Sequence, residues 1–175
     1  ITFWIKTTSA TANAGILRLT PFPLYFRAVN SAGGNEGVEL ATTAAGAPFL
    51  SANFADSTKN GWQHVAVSYD GASLQGRLFI NGVLSALSPM VEVPSADTLQ
   101  FGVETGTGGW SGYLDEFRIY HKILNELDFP EIMEGTASSL SPDISHYWKM
   151  DEEKGEKSFD IFNRHQLYFC GAAFD

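Results

Sequence analysis

The sequence predicts an all-β chain, a sandwich of two antiparallel sheets, from three observations. Short apolar-polar alternations recur along its 175 residues, Gly, Pro, Asn and Asp break them at short intervals, and one segment alone has the signals of a helix. With 44% hydrophobic and 13% aromatic residues the chain can bury one sizeable core, and an all-β sandwich of this length needs no second.

The alternating segments are, in order, 1–6 (ITFWIK), 15–19, 23–29, 62–69 (WQHVAVSY), 76–80, 98–103 and 110–120 (WSGYLDEFRIY). In the 62–69 segment, period-two geometry turns Gln63, Val65, Val67 and Tyr69 toward the core. Trp62, His64, Ala66 and Ser68 then face solvent or another layer. Tyr69-Asp70-Gly71 closes that strand, and Ile80-Asn81-Gly82-Val83 predicts a type I′ hairpin, because Asn-Gly tolerates positive φ. The helix is expected after Asp128 as cap, with Pro130 in its first turn, Glu131 completing a capping box and Gly135 ending it. Being short, it is expected to plug one end of the sandwich. The small, polar stretch Gly135–Asp143 reads as a linker, so the chain divides into a body over 1–134, a linker over 135–144 and a tail over 145–175.

No apolar run approaches the roughly 18 residues that span a bilayer. Residues 1–6 lack the basic head and cleavage site of a signal peptide, so the sequence reads as opening in mid-fold. A net charge of −9 without any Lys/Arg cluster makes nucleic acid and anionic membranes poor partners and cations better ones. Cys170, the single cysteine, excludes an intramolecular disulfide and a multi-cysteine zinc site, and its apolar neighbours predict a buried structural thiol.

The ordered set W-x-H-V-A-V-S-Y-D-G at 62–71, G-R-L-F-I-N-G-V at 76–83, F-G-V at 101–103 and G-Y-L-D-E-F-R-I-Y at 112–120, followed by Leu124 and the short helix, resembles the laminin-G-like, concanavalin A-like lectin/glucanase family. The resemblance covers residues 1 to about 134 and implies a jelly roll. In the tail, HYWKMDEEKG at 146–155, then Phe159-Asp160, Phe169 and the closing GAAFD look like the opening strands of the same family, which there precede the ITFWIK strand. The tail therefore either opens a second repeat or folds back, in permuted order, to fill the place of the first strands. Folding back is favoured, since so short a tail cannot form its own core. Trp148, Phe159, Phe169 and Phe174 could then cover an otherwise bare apolar edge.

The resemblance implies a non-catalytic binding module of a larger extracellular or cell-surface protein, one that recognises carbohydrate or glycoconjugate. The alternative is a structural or adhesion module that contacts neighbouring protein domains. It also implies a structural Ca²⁺ held by Asp115 of the L-D-E-F-R motif, with Asp151 or Glu152, Asp160 and Asn163 as oxygen donors from the tail. Against the metal stands a plainer role, in which Asp115 or Glu116 pairs with Arg118 or Lys122, or accepts backbone hydrogen bonds near a strand end. For sugar, the candidates are Trp110 in the loop G-T-G-G-W-S-G, Glu104, Asn53 and Asn35. For Trp110 the plainer reading, a core aromatic opening its strand, is the favoured one, and Trp4, Trp62 and Trp148 read as core still more strongly.

No enzyme is expected. The strand of alternating carboxylates that glucanases of the wider superfamily use is missing. The nearest approach, Asp151-Glu152-Glu153, reads as a turn before Lys154-Gly155. His64, His121, His146 and His165 have neither metal nor triad spacing, and no phosphate loop or N-x-S/T acceptor occurs.

Overall fold

The computed structural model describes residues 1–10, 14–21, 24–30, 36–54, 61–90, 96–102, 110–135, 141–152, 157–162 and 165–168. In chain order the elements are β1 (Thr2–Ala10), β2 (Ala14–Pro21), β3 (Leu24–Asn30), β4 (Glu36–Ala41), β5 (Leu50–Asn53), β6 (Gln63–Asp70), β7 (Gln75–Ile80), β8 (Val83–Pro89), β9 (Ala96–Phe101), β10 (Trp110–Tyr120), helix α1 (Phe129–Met133), β11 (Ile144–Trp148), β12 (Lys157–Phe159) and β13 (Gln166–Tyr168). A six-stranded sheet in the order β11-β10-β1-β6-β7-β8 packs on a five-stranded sheet in the order β5-β4-β3-β2-β9, and β12 pairs with β13. This is the two-sheet antiparallel sandwich with one short helix that the sequence predicts. Among the described residues no helix is long and apolar enough to cross a membrane.

Alternation explains the core. Phe3 and Ile5, Val65 and Val67, Leu78 and Ile80, and Phe117 turn inward from the six-stranded sheet and meet Leu17, Leu19, Phe26, Val38 and Leu40 of the other. Phe3 stacks on Phe117 at 5.8 Å and meets Phe26 edge-on at 5.9 Å, both favoured ring geometries.

The opposite parity of β6 and β7 puts Ala66 and Phe79 on the outer face, where burial needs a cover. Leu124, Phe129 and Ile132 supply it. The helix therefore lies across the outer face of the six-stranded sheet and does not plug an end. Phe129 sits 4.8 Å from Phe79, and Arg118 Nη1 donates to Ile132 O at 3.1 Å. Pro130 occupies the first turn as expected, but Asp128 makes no side-chain cap bond. Its carboxylate accepts instead from Asn125 N at 2.8 Å and Lys122 Nζ at 2.6 Å, so the capping box is not formed.

The Asn81-Gly82 turn has φ of 51° and 80°, the left-handed pair of a type I′ hairpin. Asn81 also accepts from His64 N at 2.9 Å and donates to Gln63 at 2.7 Å, tying the hairpin to β6.

In the tail, β11 pairs with β10, from Phe117 opposite Trp148 to Tyr120 opposite Ile144, and so forms the outer edge of the sheet. Trp148 and Leu167 belong to the main core. Phe159 is exposed, unlike the covering role expected of it, because β12 turns Ser158 inward. Cys170, Phe169 and Phe174 lie outside the described residues.

Candidate functional site

The outer face of the five-stranded sheet is polar because β2 to β5 and β9 alternate apolar with charged or hydroxyl residues. Register places Arg18 beside Tyr25 on one side and Gln100 on the other. It also places Arg27 beside Glu39, and Glu39 beside Ser51. The Arg18 guanidinium lies 5.2 Å from the Tyr25 ring centroid, a cation-π contact that holds it in place.

Arg27 is fully buried and pairs with Glu39 at 2.6 Å. It also donates to Ala44 O and Gly46 O, each at 2.9 Å, which draws the 42–46 segment over that part of the sheet. Buried charge persists only where such partners replace water. Ser51, Asn53, Thr98 and Gln100 are exposed on the same surface, and Arg18 is half-exposed. Amide, hydroxyl and guanidinium groups on a rigid sheet can hydrogen-bond a hydroxyl-rich ligand.

Of the residues singled out for sugar, Asn53 ends β5 on this face. Trp110 does not join it. Its ring packs against the main core, and its Nε1 donates to Thr7 Oγ1 at 3.2 Å. Glu104 and Asn35 lie outside the described residues. Arg18, Tyr25 and Gln100 were missed by sequence reasoning, whose only available signal was their alternation with core residues.

The expected calcium ligands divide. Asp115 faces Trp4 across the β1–β10 ladder and accepts Glu116 N at 2.9 Å. Burial, then the charges of Glu116 and Asp151, push its carboxyl above the usual range. Of the two acids, Glu116 is the one that pairs with Arg118, and Asp115 takes the backbone hydrogen bond, as the plainer role expects, while Lys122 pairs with Asp128. Asp160 is wholly buried on the other side of β11, where it bridges to Trp148. Its Oδ1 accepts Tyr147 N at 3.0 Å and Phe162 N at 3.4 Å, while its Oδ2 has no partner among the described residues. Glu152 Oε1 accepts Ser158 Oγ at 2.6 Å and Phe159 N at 3.0 Å, a structural tie of its own. Asn163 lies outside the described residues. Among the described residues no three His, Cys, Asp or Glu gather as a metal site.

Two buried polar groups are structural. Arg118 donates to Glu116 and to Tyr147 OH, and Tyr147 OH donates to Glu116. Burial and the bond to Glu116 push the Tyr147 hydroxyl up to about 12. His64 lies edge-on to Trp4 at 5.3 Å and to Phe129 at 5.8 Å. Burial, then the charge of Arg118, lowers its pKa to about 4. Trp62, expected in the core, is 42% exposed, because its parity on the sheet is the outer one and α1 does not cover it.

A family model described as the concanavalin A-like lectin/glucanases superfamily matches residues 1–128. Among solved structures the chain is similar to a candidate carbohydrate-binding protein from Bacteroides ovatus, with TM-score 0.69, 18% identity and 99% of this chain covered. The chain spans 54% of that protein's length. It is also similar to a heptameric SAP-like pentraxin from Limulus polyphemus, with TM-score 0.57, 16% identity, and 79% of this chain and 69% of that one covered. At these identities the likeness shows the fold alone. No curated protein matches the chain in sequence.

Proposed function

This chain belongs to the concanavalin A-like lectin/glucanases superfamily, and we propose that it is a non-catalytic module recognising carbohydrate or glycoconjugate within a larger extracellular or cell-surface protein. The observation that carries this reading is the polar outer face of the five-stranded sheet, where Gln100, Arg18 and Tyr25 stand in one row across β9, β2 and β3, with Ser51 and Asn53 on the same face at its β5 edge. Strands about 4.8 Å apart hold such groups at fixed separations. The stacking of Arg18 lowers the entropy lost on binding. The Bacteroides ovatus protein of the same fold is named for carbohydrate binding, which agrees with the reading without carrying it.

A glycan array probed with the intact chain tests the proposal. Binding that falls about tenfold in the Arg18→Ala, Gln100→Ala double variant is expected. No glycan above background would overturn it. The adhesion reading is favoured by one observation, the edge strand β8, which leaves Val83, Leu84 and Leu87 exposed. It gains if the array is blank and Leu87→Lys abolishes association with a protein domain.

A structural calcium between Asp115 and Asp151 belongs to the same proposal. Burial raises the Asp115 carboxyl first, and a cation would offset the charges of Glu116 and Asp151 that add to it, although the described residues offer fewer oxygens than the roughly 6 to 8 that Ca²⁺ takes. Calcium is expected to raise the melting temperature and EDTA to reverse the rise. An unchanged melting temperature contradicts it.

The tail, in this reading, closes the body in permuted order and does not open a second repeat. The pairing of β11 with β10 and the places of Trp148 and Leu167 in the main core support it. Deleting 144–175 should give an insoluble or partly unfolded product, whereas a soluble, cooperatively melting 1–140 fragment contradicts it.

A further inference from the structure

The outer face of the six-stranded sheet carries a row of a different kind. Lys6 faces Tyr113 across the β1–β10 ladder. Ile5 faces Gln63 across the β1–β6 ladder, which sets Trp62 beside Lys6. Trp62 and Tyr113 are 42% and 45% exposed, with ring centroids 6.4 Å apart and planes tilted by 55°. The Lys6 ammonium lies 5.9 Å from the Tyr113 centroid, and among the described residues it makes no ion pair. One step along the same face, Thr8 Oγ1 donates to Ser111 O at 3.0 Å and lies 3.2 Å from Ser111 Oγ, and both residues are exposed.

Two large rings left open to water beside an uncompensated ammonium are poorly explained by stability. Each gives up burial that an aromatic ring ordinarily gains, and α1 covers only the neighbouring part of the sheet. Together they match one ligand chemistry. The apolar C–H face of a pyranose stacks on an aromatic ring, a carboxylate on that pyranose meets an ammonium, and its hydroxyls meet hydroxyl groups.

We infer that Trp62, Lys6 and Tyr113 form a second binding site, for the carboxylate-bearing pyranose of an acidic saccharide, with Thr8 and Ser111 beside it to meet hydroxyls. The inference rests on the carbohydrate reading for its ligand class but on none of that reading's residues. The two sites lie on opposite outer faces of the sandwich, so one chain can engage two saccharides at once. The net charge of −9 opposes long-range attraction of an anion. Affinity therefore comes from stacking, and Lys6 supplies the preference for acidic over neutral sugar at short range.

The test titrates the intact chain with a galacturonic acid hexasaccharide, and separately with a neutral galactose hexasaccharide, read by tryptophan fluorescence and calorimetry. Trp62→Ala and Tyr113→Ala are each expected to weaken the acidic ligand about tenfold, while Trp62→Phe retains most of the affinity. Lys6→Gln should bring the acidic ligand down to the level of the neutral one, and Lys6→Arg should restore it. Arg18→Ala with Gln100→Ala should leave this titration unchanged. The site is overturned if the acidic ligand does not bind, if the neutral ligand binds as tightly, or if Trp62→Ala and Lys6→Gln bind as the parent does. Loss of binding only in the Arg18 and Gln100 variant would leave the carbohydrate reading standing and remove this site.

Discussion

The two outer faces of the sandwich solve the same problem in opposite ways. On the five-stranded sheet the outward side chains are charged or hydroxylated, and the charges are satisfied within the face by Arg27 on Glu39 and Arg18 on Tyr25. On the six-stranded sheet the outward side chains mix polar residues, among them Lys6, His64, Ser68, Arg77 and Arg118, with the apolar and aromatic Trp4, Ala66, Phe79 and Tyr113. Where they are Ala66 and Phe79, α1 buries them. Where they are Trp62, Lys6 and Tyr113, nothing among the described residues does, and each of these has a polar end that water can solvate. Equal alternation in the strands thus yields one face held by its own ion pair and cation-π contact and one held by an apolar cover that Arg118 ties down through Ile132 O.

The largest test of that contrast is Phe129→Ala, which removes the ring between Phe79 and His64 and loosens the cover. A loss of about 4 kcal/mol in urea unfolding is expected, the range for burying and then deleting a core ring. On the other face, Arg27→Ala leaves Glu39 charged, buried and unpaired. It should cost about 3 kcal/mol, while Arg27→Met with Glu39→Leu should recover most of that loss.

Acid should act on the covered face. His64 takes up a proton near the ordinary 6.5 when unfolded but only near 4 in the fold, so between those values the unfolded chain binds more protons. Stability held by neutral His64 is complete above pH 6.5 and lost as pH falls through 4, a loss of up to about 3 kcal/mol. Urea midpoints between pH 7 and 4 measure it, and His64→Gln should flatten the slope relative to the parent. The smallest effect is expected of Trp62→Ala, within about 0.5 kcal/mol of the parent, because the ring stabilises little while it stands in solvent.

These contrasts also mark what the sequence makes legible. Val65 and Val67 are core by period alone, and Asn81-Gly82 declares its turn by chemistry alone. β4 and β5 escape because EGVELA and LSAN are short and lie beside Gly- and Ala-rich stretches, so their ladders depend on distant partners. The helix signals at Asp128 to Gly135 locate α1 in the chain. Its seat depends on Ala66 and Phe79, whose face period two leaves undecided between solvent and a second layer. Trp62 was misread for the same reason, since a tryptophan is usually core and only the edge of the α1 cover decides otherwise. Within the candidate site, Asn53 is legible as a polar residue on a surface. Arg18, Tyr25 and Gln100 become neighbours only through register across three strands, which no local pattern encodes.

The most direct test of carbohydrate recognition on the outer face of the five-stranded sheet is a ¹H–¹⁵N NMR titration of the intact chain with the strongest glycan from the array. The account predicts shifts at Arg18, Ser51, Asn53 and Gln100 that saturate with ligand. Saturating shifts confined to β8, or none at all, would contradict it.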